Sequence, residues 1–414
     1  MKKLFTFFAL ILCSSVTFAQ NITEEDFQNM LSELNADSIK ATMQTLENFP
    51  SRFAAHGNRD VAEYIAGRFE AYGLSDVQVD SFYVNQYTWL VGDTLKRYMY
   101  NVKGSLKGSR TPEKIVILGA HLDCITADSS YTIFYDTTAG ADDNASGVAV
   151  MLEVARVFHE HNFVPRFTID FMGFDGEEFG LWGSNYDARK RLQNMEHVEL
   201  MLNNDMVAND PDHQRKMDLL WYDNALQARS DASLMIENFT TLRPVIFDAA
   251  GNGNSKNSDS YCYYLMGYKA VFAMEDDFSP YYHGPRDLTQ YCDFGYAAEV
   301  AKMDLAMLVH YAYCDVFNFE EDGIEEYSPA INGMKAYPNP TTGNVDLSFF
   351  LAQGGQTHIA LYNMTGQMVD ILYNGKLDEG YNHLDFNLCN VPSGIYFCRI
   401  QNNNSTSNVK IIKQ

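Results

Sequence analysis

Ile115-Val116-Ile117-Leu118-Gly119-Ala120-His121-Leu122-Asp123 is the stretch that decides the fold. Four consecutive apolar residues, three of them β-branched, read as a strand buried on both faces, the kind that fills the middle of a parallel sheet. The run ends on His121 and Asp123. Side chains two apart on a strand share a face, so Asp123 is placed to accept the spare N–H of His121 and fix its tautomer. Taken alone, such a pair is more often a satisfied structural hydrogen bond.

Three other apolar runs end the same way. Residues 167–174 lead into Asp175-Gly176-Glu177-Glu178-Phe179-Gly180, residues 198–206 carry Asn203-Asn204-Asp205, and residues 270–274 pass through Glu275-Asp276-Asp277 to Tyr282-His283-Gly284. Between the first two strands, Gly140-Ala141-Asp142-Asp143-Asn144-Ala145-Ser146-Gly147 opens a stripe of Met151, Val154, Ala155 and Phe158 at helical spacing. Each signal has an ordinary reading. Asp before a helix is usually an N-cap, a glutamate pair in a chain with 54 acidic residues is usually a solvated face, and a lone His after tyrosines is usually structural.

Together they mean more. Two further strands, 217–222 and 244–247, and helical patterns over 146–161, about 181–193, 225–239 and 293–316 alternate with the runs above. That alternation is the mark of βαβ units with right-handed crossovers. It predicts an α/β fold with a doubly wound, mostly parallel sheet and helices on both faces. In such a sheet, ligands sit outside the carboxyl ends of the strands. His121, Asp143, Glu177, Glu178, Asp205 and His283 therefore belong at one edge, and two imidazoles with four carboxylates are what a pair of zinc ions and a general base require.

Over residues 46–314 the chain resembles the bacterial co-catalytic di-zinc aminopeptidases. The likeness rests on Gly119-Ala120-His121-Leu122-Asp123, Gly140 through Gly147, Gly176-Glu177-Glu178, Asn204-Asp205-Met206 and Tyr282-His283. It implies that Asp143 bridges two zinc ions per chain, that His121 and Asp205 complete one site, and that Glu178 and His283 complete the other. It assigns the general base to Glu177 and supporting places to Asp123, Asp142 and Asp287, the last matching an acidic residue four beyond the final ligand. The implied substrates are peptides with a free N-terminus. Ser258-Asp259-Ser260 stands where relatives often carry histidine after the Ser-Asp pair, and Gly284 where they often carry threonine, so specificity departs from the pattern more than chemistry does. Related carboxypeptidases insert a whole domain before the last ligand; the interval from Asp205 to His283 is already filled with strand and helix patterns, which favours an aminopeptidase. Asp276 or Asp277 would suit the substrate's amine.

The ends of the chain bear on location. Met1-Lys2-Lys3, the apolar stretch 4–12 and Thr17-Phe18-Ala19 read as a signal peptide over 1–19, giving a catalytic domain at 20–316. Residues 317–334 read as a linker. From 335 to 414 short alternating strands such as Val345, Leu347, Phe349 and Leu351 predict a small all-β sandwich. Its Tyr337-Pro338-Asn339-Pro340-Thr341-Thr342-Gly343 opening, Pro392-Ser393-Gly394-Ile395-Tyr396 and terminal Lys410-Ile411-Ile412-Lys413 resemble the sorting domain read by the type IX secretion system. The resemblance implies a partner in the secretion machinery and a product exported through the periplasm to the cell surface or medium. After leader removal no segment is apolar and long enough to be an integral membrane span. A net charge of −24 disfavours nucleic acid as a partner.

Beyond Cys13 in the leader, Cys124, Cys262, Cys292, Cys314, Cys389 and Cys398 allow 15 pairings if all are bridged, with Cys389 and Cys398 the expected local couple. Two rivals share the sheet: a glutaminyl cyclase-like enzyme using a single zinc, and a non-catalytic receptor-like or adhesive binding protein.

Overall fold

The apolar runs become the centre of an eight-stranded sheet in the computed structural model, which describes residues 22–128, 132–133, 139–246, 253–313, 331–351, 353–363, 368–389, 391–402 and 405–414. Contacts divide the chain into two units, Met1–Asn318 and Phe319–Gln414. The leader read at 1–19, Cys314, and residues 317–330 of the linker lie outside the described residues.

In chain order the first unit holds α1 (Glu24–Glu33), α2 (Ala36–Glu47), α3 (Arg59–Ala71), β1 (Ser75–Thr88), β2 (Asp93–Leu106), β3 (Thr111–His121), α4 (Gly147–Glu160), β4 (Phe167–Phe174), α5 (Trp182–Gln193), β5 (His197–Asn204), β6 (Lys216–Trp221), α6 (Leu226–Phe239), β7 (Arg243–Ile246), α7 (Ser260–Leu265), β8 (Ala270–Glu275) and α8 (Phe294–Tyr313). The strand order is β1-β2-β4-β3-β5-β8-β6-β7. Its middle, β4-β3-β5-β8, is parallel throughout. Antiparallel pairings β1 with β2, β2 with β4, and β6 with β8 make the flanks mixed.

Both faces of the centre are covered, which is why those strands are apolar without alternation. Ile117 of β3, Met172 and Phe174 of β4 and Met201 of β5 pack with Ala188 of α5 and with Cys262 and Tyr263 of α7. On the opposite face, where alternation puts Val116 and Leu118, α4 and α8 lie against β3, and α2 packs on both helices. The buried faces of α4 and α8 run nearly all the way round, as expected of helices sandwiched between a sheet and other helices.

The second unit contains β9 (Ile331–Tyr337), β10 (Asn344–Leu351), β11 (Gly355–Asn363), β12 (Met368–Leu377), β13 (Gly380–Asn387), β14 (Gly394–Asn402) and β15 (Ser405–Lys413). They form two antiparallel sheets, β13-β10-β9 and β12-β11-β14-β15. Val345, Leu347, Phe349 and Leu351 of β10 meet Ile359, Leu361, Cys398, Ile400 and Ile411 in one core. Residues 331–334, read from sequence as the end of a linker, begin β9.

The cysteine expectation is corrected here. Cys389 and Cys398 are both free, as are Cys262 and Cys292. Cys398 falls on the inward set of β14 and is buried in the core, while Cys389 is exposed after β13, so their side chains occupy different environments.

Candidate metal centre

The carboxyl ends of β3, β4 and β5 and the segment after β8 bring the predicted side chains together. His121 is the last residue of β3. Its Nδ1 lies 3.1 Å from the carbonyl oxygen of Asp123 and 3.6 Å from that residue's carboxylate. A carbonyl only accepts, so Nδ1 is the donor in that contact and Nε2 is turned towards the other carboxylates. The expected carboxylate partner is therefore replaced by the backbone of the same residue. Freed from the ring, the Asp123 carboxylate accepts the N–H of Glu177 at 3.1 Å and of Glu178 at 3.3 Å, and so orients both glutamates.

His121 Nε2 sits 3.1 Å from Asp143 Oδ1 and 3.2 Å from Asp205 Oδ1. The other oxygen of Asp143, Oδ2, lies 3.1 Å from His283 Nε2, which is 2.9 Å from Glu178 Oε2. The result is two triads of one nitrogen and two oxygens, joined through a single carboxylate. Glu178 Oε1 also accepts the N–H of Ile125 at 3.2 Å, and Asp205 Oδ2 accepts from the Ser258 hydroxyl at 2.6 Å.

The bridging residue is held by its own shell. Asp287 receives the N–H of Asp142 on Oδ1 at 2.8 Å and that of Asp143 on Oδ2 at 3.1 Å. Asp142 turns away from the cluster and accepts the N–H of Ala208 at 2.9 Å. Gly147 is required behind it, since a Cβ there would stand 2.6 Å from Asn144 Oδ1 and 2.7 Å from the Asn204 carbonyl. His283 takes a left-handed backbone at φ 52°, a conformation costly for a residue with a Cβ and one that recurs at functional sites.

Electrostatics shows how the buried carboxylates and imidazoles act on one another. Burial pushes Glu177 well above the ordinary glutamate range and Glu178 up to about 7. Burial pulls the other way on His283, but Glu178 and Asp143 outweigh it and hold the ring at about 10. Asp143 is driven below the usual carboxylate range because the two imidazoles overcome its burial. Without cations, then, the group must take up protons to lie buried. A donor-set test points the same way: His283 Nε2 is buried against two carboxylates yet has no hydrogen-bond partner among the described residues, the posture of a ligand lone pair. Two nitrogens and carboxylate oxygens, with no thiolate, suit zinc.

Several contributors went unread in the sequence. Arg52, fully buried, donates to the carbonyls of Leu122 at 3.3 Å and Ala139 at 3.1 Å and to that of Gly140, tying the loop after β3 to the loop before Asp143. Glu275, also fully buried, accepts the N–H groups of Asn209 and Ser279, both at 2.9 Å. Buried Asp175 accepts from the Asn58 amide at 2.8 Å and the Tyr100 N–H at 2.9 Å at the start of the glutamate turn. Arg52 stands apart from any motif, and Asp175 and Glu275 lie in acidic runs that do not reveal which member is buried. Tyr282 stacks on His283 with ring centroids 3.6 Å apart. Asp276 and Asp277, expected as candidates for the substrate amine, are engaged elsewhere: Asp276 pairs with Lys216 at 3.3 Å and Asp277 clusters with Asp210 and Asp212.

Comparison with known proteins follows this geometry. The family model described as Peptidase family M28 matches residues 101–308, and the one described as Secretion system C-terminal sorting domain matches residues 335–414. A probable zinc metalloprotease of Pyrenophora teres f. teres (strain 0-1) is 28% identical over 68% of this chain and 66% of its own length. Across the first curated relatives the chain spans between 39% and 76% of their length. Among solved structures, an aminopeptidase from Aneurinibacillus sp. strain AM-1 has a TM-score of 0.56 at 16% identity, covering 72% of this chain and 98% of that one. A Bacteroides thetaiotaomicron glutaminyl cyclase bound to N-acetylhistamine has a TM-score of 0.53 at 21% identity, covering 66% of this chain and 97% of that one. At these identities both structures speak to the fold alone.

Proposed function

The chain belongs to peptidase family M28, and from that premise we propose that it is a secreted metallo-aminopeptidase that removes N-terminal residues from peptides with two zinc ions and a glutamate base. His121, Asp143 and Asp205 would hold one ion, and Asp143, Glu178 and His283 the other. Bound there, the pair supplies Lewis-acid polarisation of a peptide carbonyl and a lowered pKa for water.

The chain's own residues do the rest. Glu177 is 8% exposed and belongs to neither triad, and Asp123 fixes its backbone beside them. Burial raises its proton affinity, which is what a base that accepts a proton from water and then returns it to the departing amine requires. Its charge is restored at the end of each turnover. Asp205 is turned by Ser258 so that one oxygen faces His121 while the other is occupied. Between Asp205 and His283 the described residues carry β6, α6, β7, α7 and β8, with no inserted domain of the kind that would mark a related carboxypeptidase.

The observation that carries this reading is the division of the Asp143 carboxylate, Oδ1 to the His121 triad and Oδ2 to the His283 triad. A single-ion cyclase has use for only one triad. The test is metal analysis of purified protein together with an aminoacyl chromogenic substrate and a Gln-initiated peptide. Two zinc ions per chain and amine release support the proposal. One ion with pyroglutamate formation, or silence with both substrates, would overturn it.

For the second unit we propose a sorting role: residues 335–414 address the protein to the secretion machinery, and the enzyme acts at the cell surface or outside it. Among the described residues no helix is long and apolar enough to cross a membrane. Secretion of a chain lacking residues 335–414 would refute the sorting role.

A further inference from the structure

Asp304 is a buried acid that the chemistry above leaves unused. It lies in α8 at 0% exposure, between the equally buried Met303 and Leu305. Such a carboxylate is costly to bury unless it is hydrogen-bonded to some purpose. Its bond is with Asn204, whose Nδ2 donates to Oδ2 at 2.5 Å; Oδ1 has no hydrogen-bond partner among the described residues.

Asn204 is the last residue of β5 and immediately precedes Asp205. Its carbonyl accepts from Asn144 Nδ2 at 2.8 Å, and Asn144 immediately follows Asp143. Asn144 Oδ1 in turn accepts the N–H of Met206, on the far side of Asp205, at 3.3 Å. The segments bearing Asp143 and Asp205 are thus laced together across Asn144, one residue away from each carboxylate. Asp304 is where this lacing is fastened to a helix.

We propose that Asp304 is a positioning residue: through Asn204 it anchors the end of β5 to α8 and so sets the separation of Asp143 and Asp205. The proposal rests on those two carboxylates sharing a zinc ion. The acceptor oxygen is the functional part, so Asp304→Asn keeps the role and Asp304→Ala removes it.

Zinc affinity of the full chain, measured by competition with a chromophoric chelator, is the readout, with near-UV circular dichroism to establish that each variant is folded. Asp304→Ala should weaken the weaker-held zinc by ~10- to 100-fold, the range for losing a group that orients a ligand, while Asp304→Asn stays within an order of magnitude of the parent. Asn204→Ala should cost as much as Asp304→Ala, and the double variant no more than either, because the two act as one link. If Asp304→Ala does not fold, Asp304→Ser, too short to reach Asn204, replaces it. Parent-like affinity in the folded Ala or Ser variant, or losses that simply add, overturns the proposal. Fewer than two zinc ions on the parent chain would instead overturn the di-zinc reading on which it rests.

Discussion

Asp123→Asn isolates the contribution of one oxygen to the whole centre. The carboxylate is fully buried and accepts two backbone donors, the Glu177 N–H at 3.1 Å and the Glu178 N–H at 3.3 Å. Asparagine fills the same volume but keeps one acceptor and turns an amide donor towards the other N–H. The orphaned donor costs ~1–3 kcal/mol, and the surviving bond loses its charge assistance, worth about 1 kcal/mol more. The expected loss is therefore ~2–4 kcal/mol, rising to ~2–6 kcal/mol for Asp123→Ala, where both donors are stranded. Urea denaturation followed by tryptophan fluorescence reads this cleanly, since Trp89, Trp182 and Trp221 all lie in the first unit. Because the two N–H groups belong to the proposed base and a proposed ligand, kcat should fall along with stability. A change smaller than about 0.5 kcal/mol, the size of an ordinary surface substitution, with unchanged kcat, would refute the reasoning.

Other outcomes follow from the same geometry. Glu177→Gln should retain both zinc ions and lose ~10²- to 10⁴-fold in kcat, the share of a general base; full turnover in metal-replete protein would remove Glu177 from that role. Chelation should abolish activity and lower stability, by ~2.7 kcal/mol per ion if free zinc had stood at 100 times Kd, and a chelated protein that unfolds as the loaded one does would contradict the site. Burial, opposed by the Asn204 hydrogen bond, raises Asp304 from the usual 3.8 to about 7. Between those values the unfolded chain binds fewer protons than the folded one, so this group's contribution falls as pH rises from about 4 to about 7, by up to ~4 kcal/mol. Asp304→Asn removes that slope, so its stability relative to the parent should improve between about pH 4 and about pH 8; a pH-independent difference would count against the assignment. Phe349→Ala, in the core of the second unit, should cost ~3–5 kcal/mol there, seen as faster proteolysis of that unit, and unchanged proteolysis would count against that packing.

The parallel centre was legible because burial on both faces leaves an unbroken apolar signature, and residues that interrupt it at the carboxyl end, such as His121 and Asp205, stand out. The flanks were not. Strand β1 is long but mostly exposed and β2 is buried only over its second half, with polar residues throughout, so neither a continuous run nor a strict alternation marks them. The proposed metal donors were readable as a constellation because His121, Glu178, Asp205 and His283 lie at or beyond the carboxyl ends of strands, and Asp143 lies in the segment that opens α4. Arg52 and Asp304 were hidden for opposite reasons: one sits before any strand, and the other inside an apolar helical stripe where a lone acid looks like a misplaced surface residue. The Cys389 and Cys398 expectation failed because proximity in sequence says nothing about which way a strand turns its side chains, and β14 turns Cys398 into the core.

The anchor at Asp304 lies 100 residues beyond the asparagine it grips. A ribosome makes the chain from the amino end, so an emerging polypeptide possesses His121 through His283 before α8 is complete. Until Phe294–Tyr313 has been made and docked, the end of β5 is held by its neighbouring strands and by Asn144 but lacks its link to Asp304. The order of the elements thus makes this link one of the last parts of the first unit to be synthesised. A chain ending before Phe294 would therefore contain His121, Asp143, Glu177, Glu178, Asp205 and His283 but not the proposed anchor.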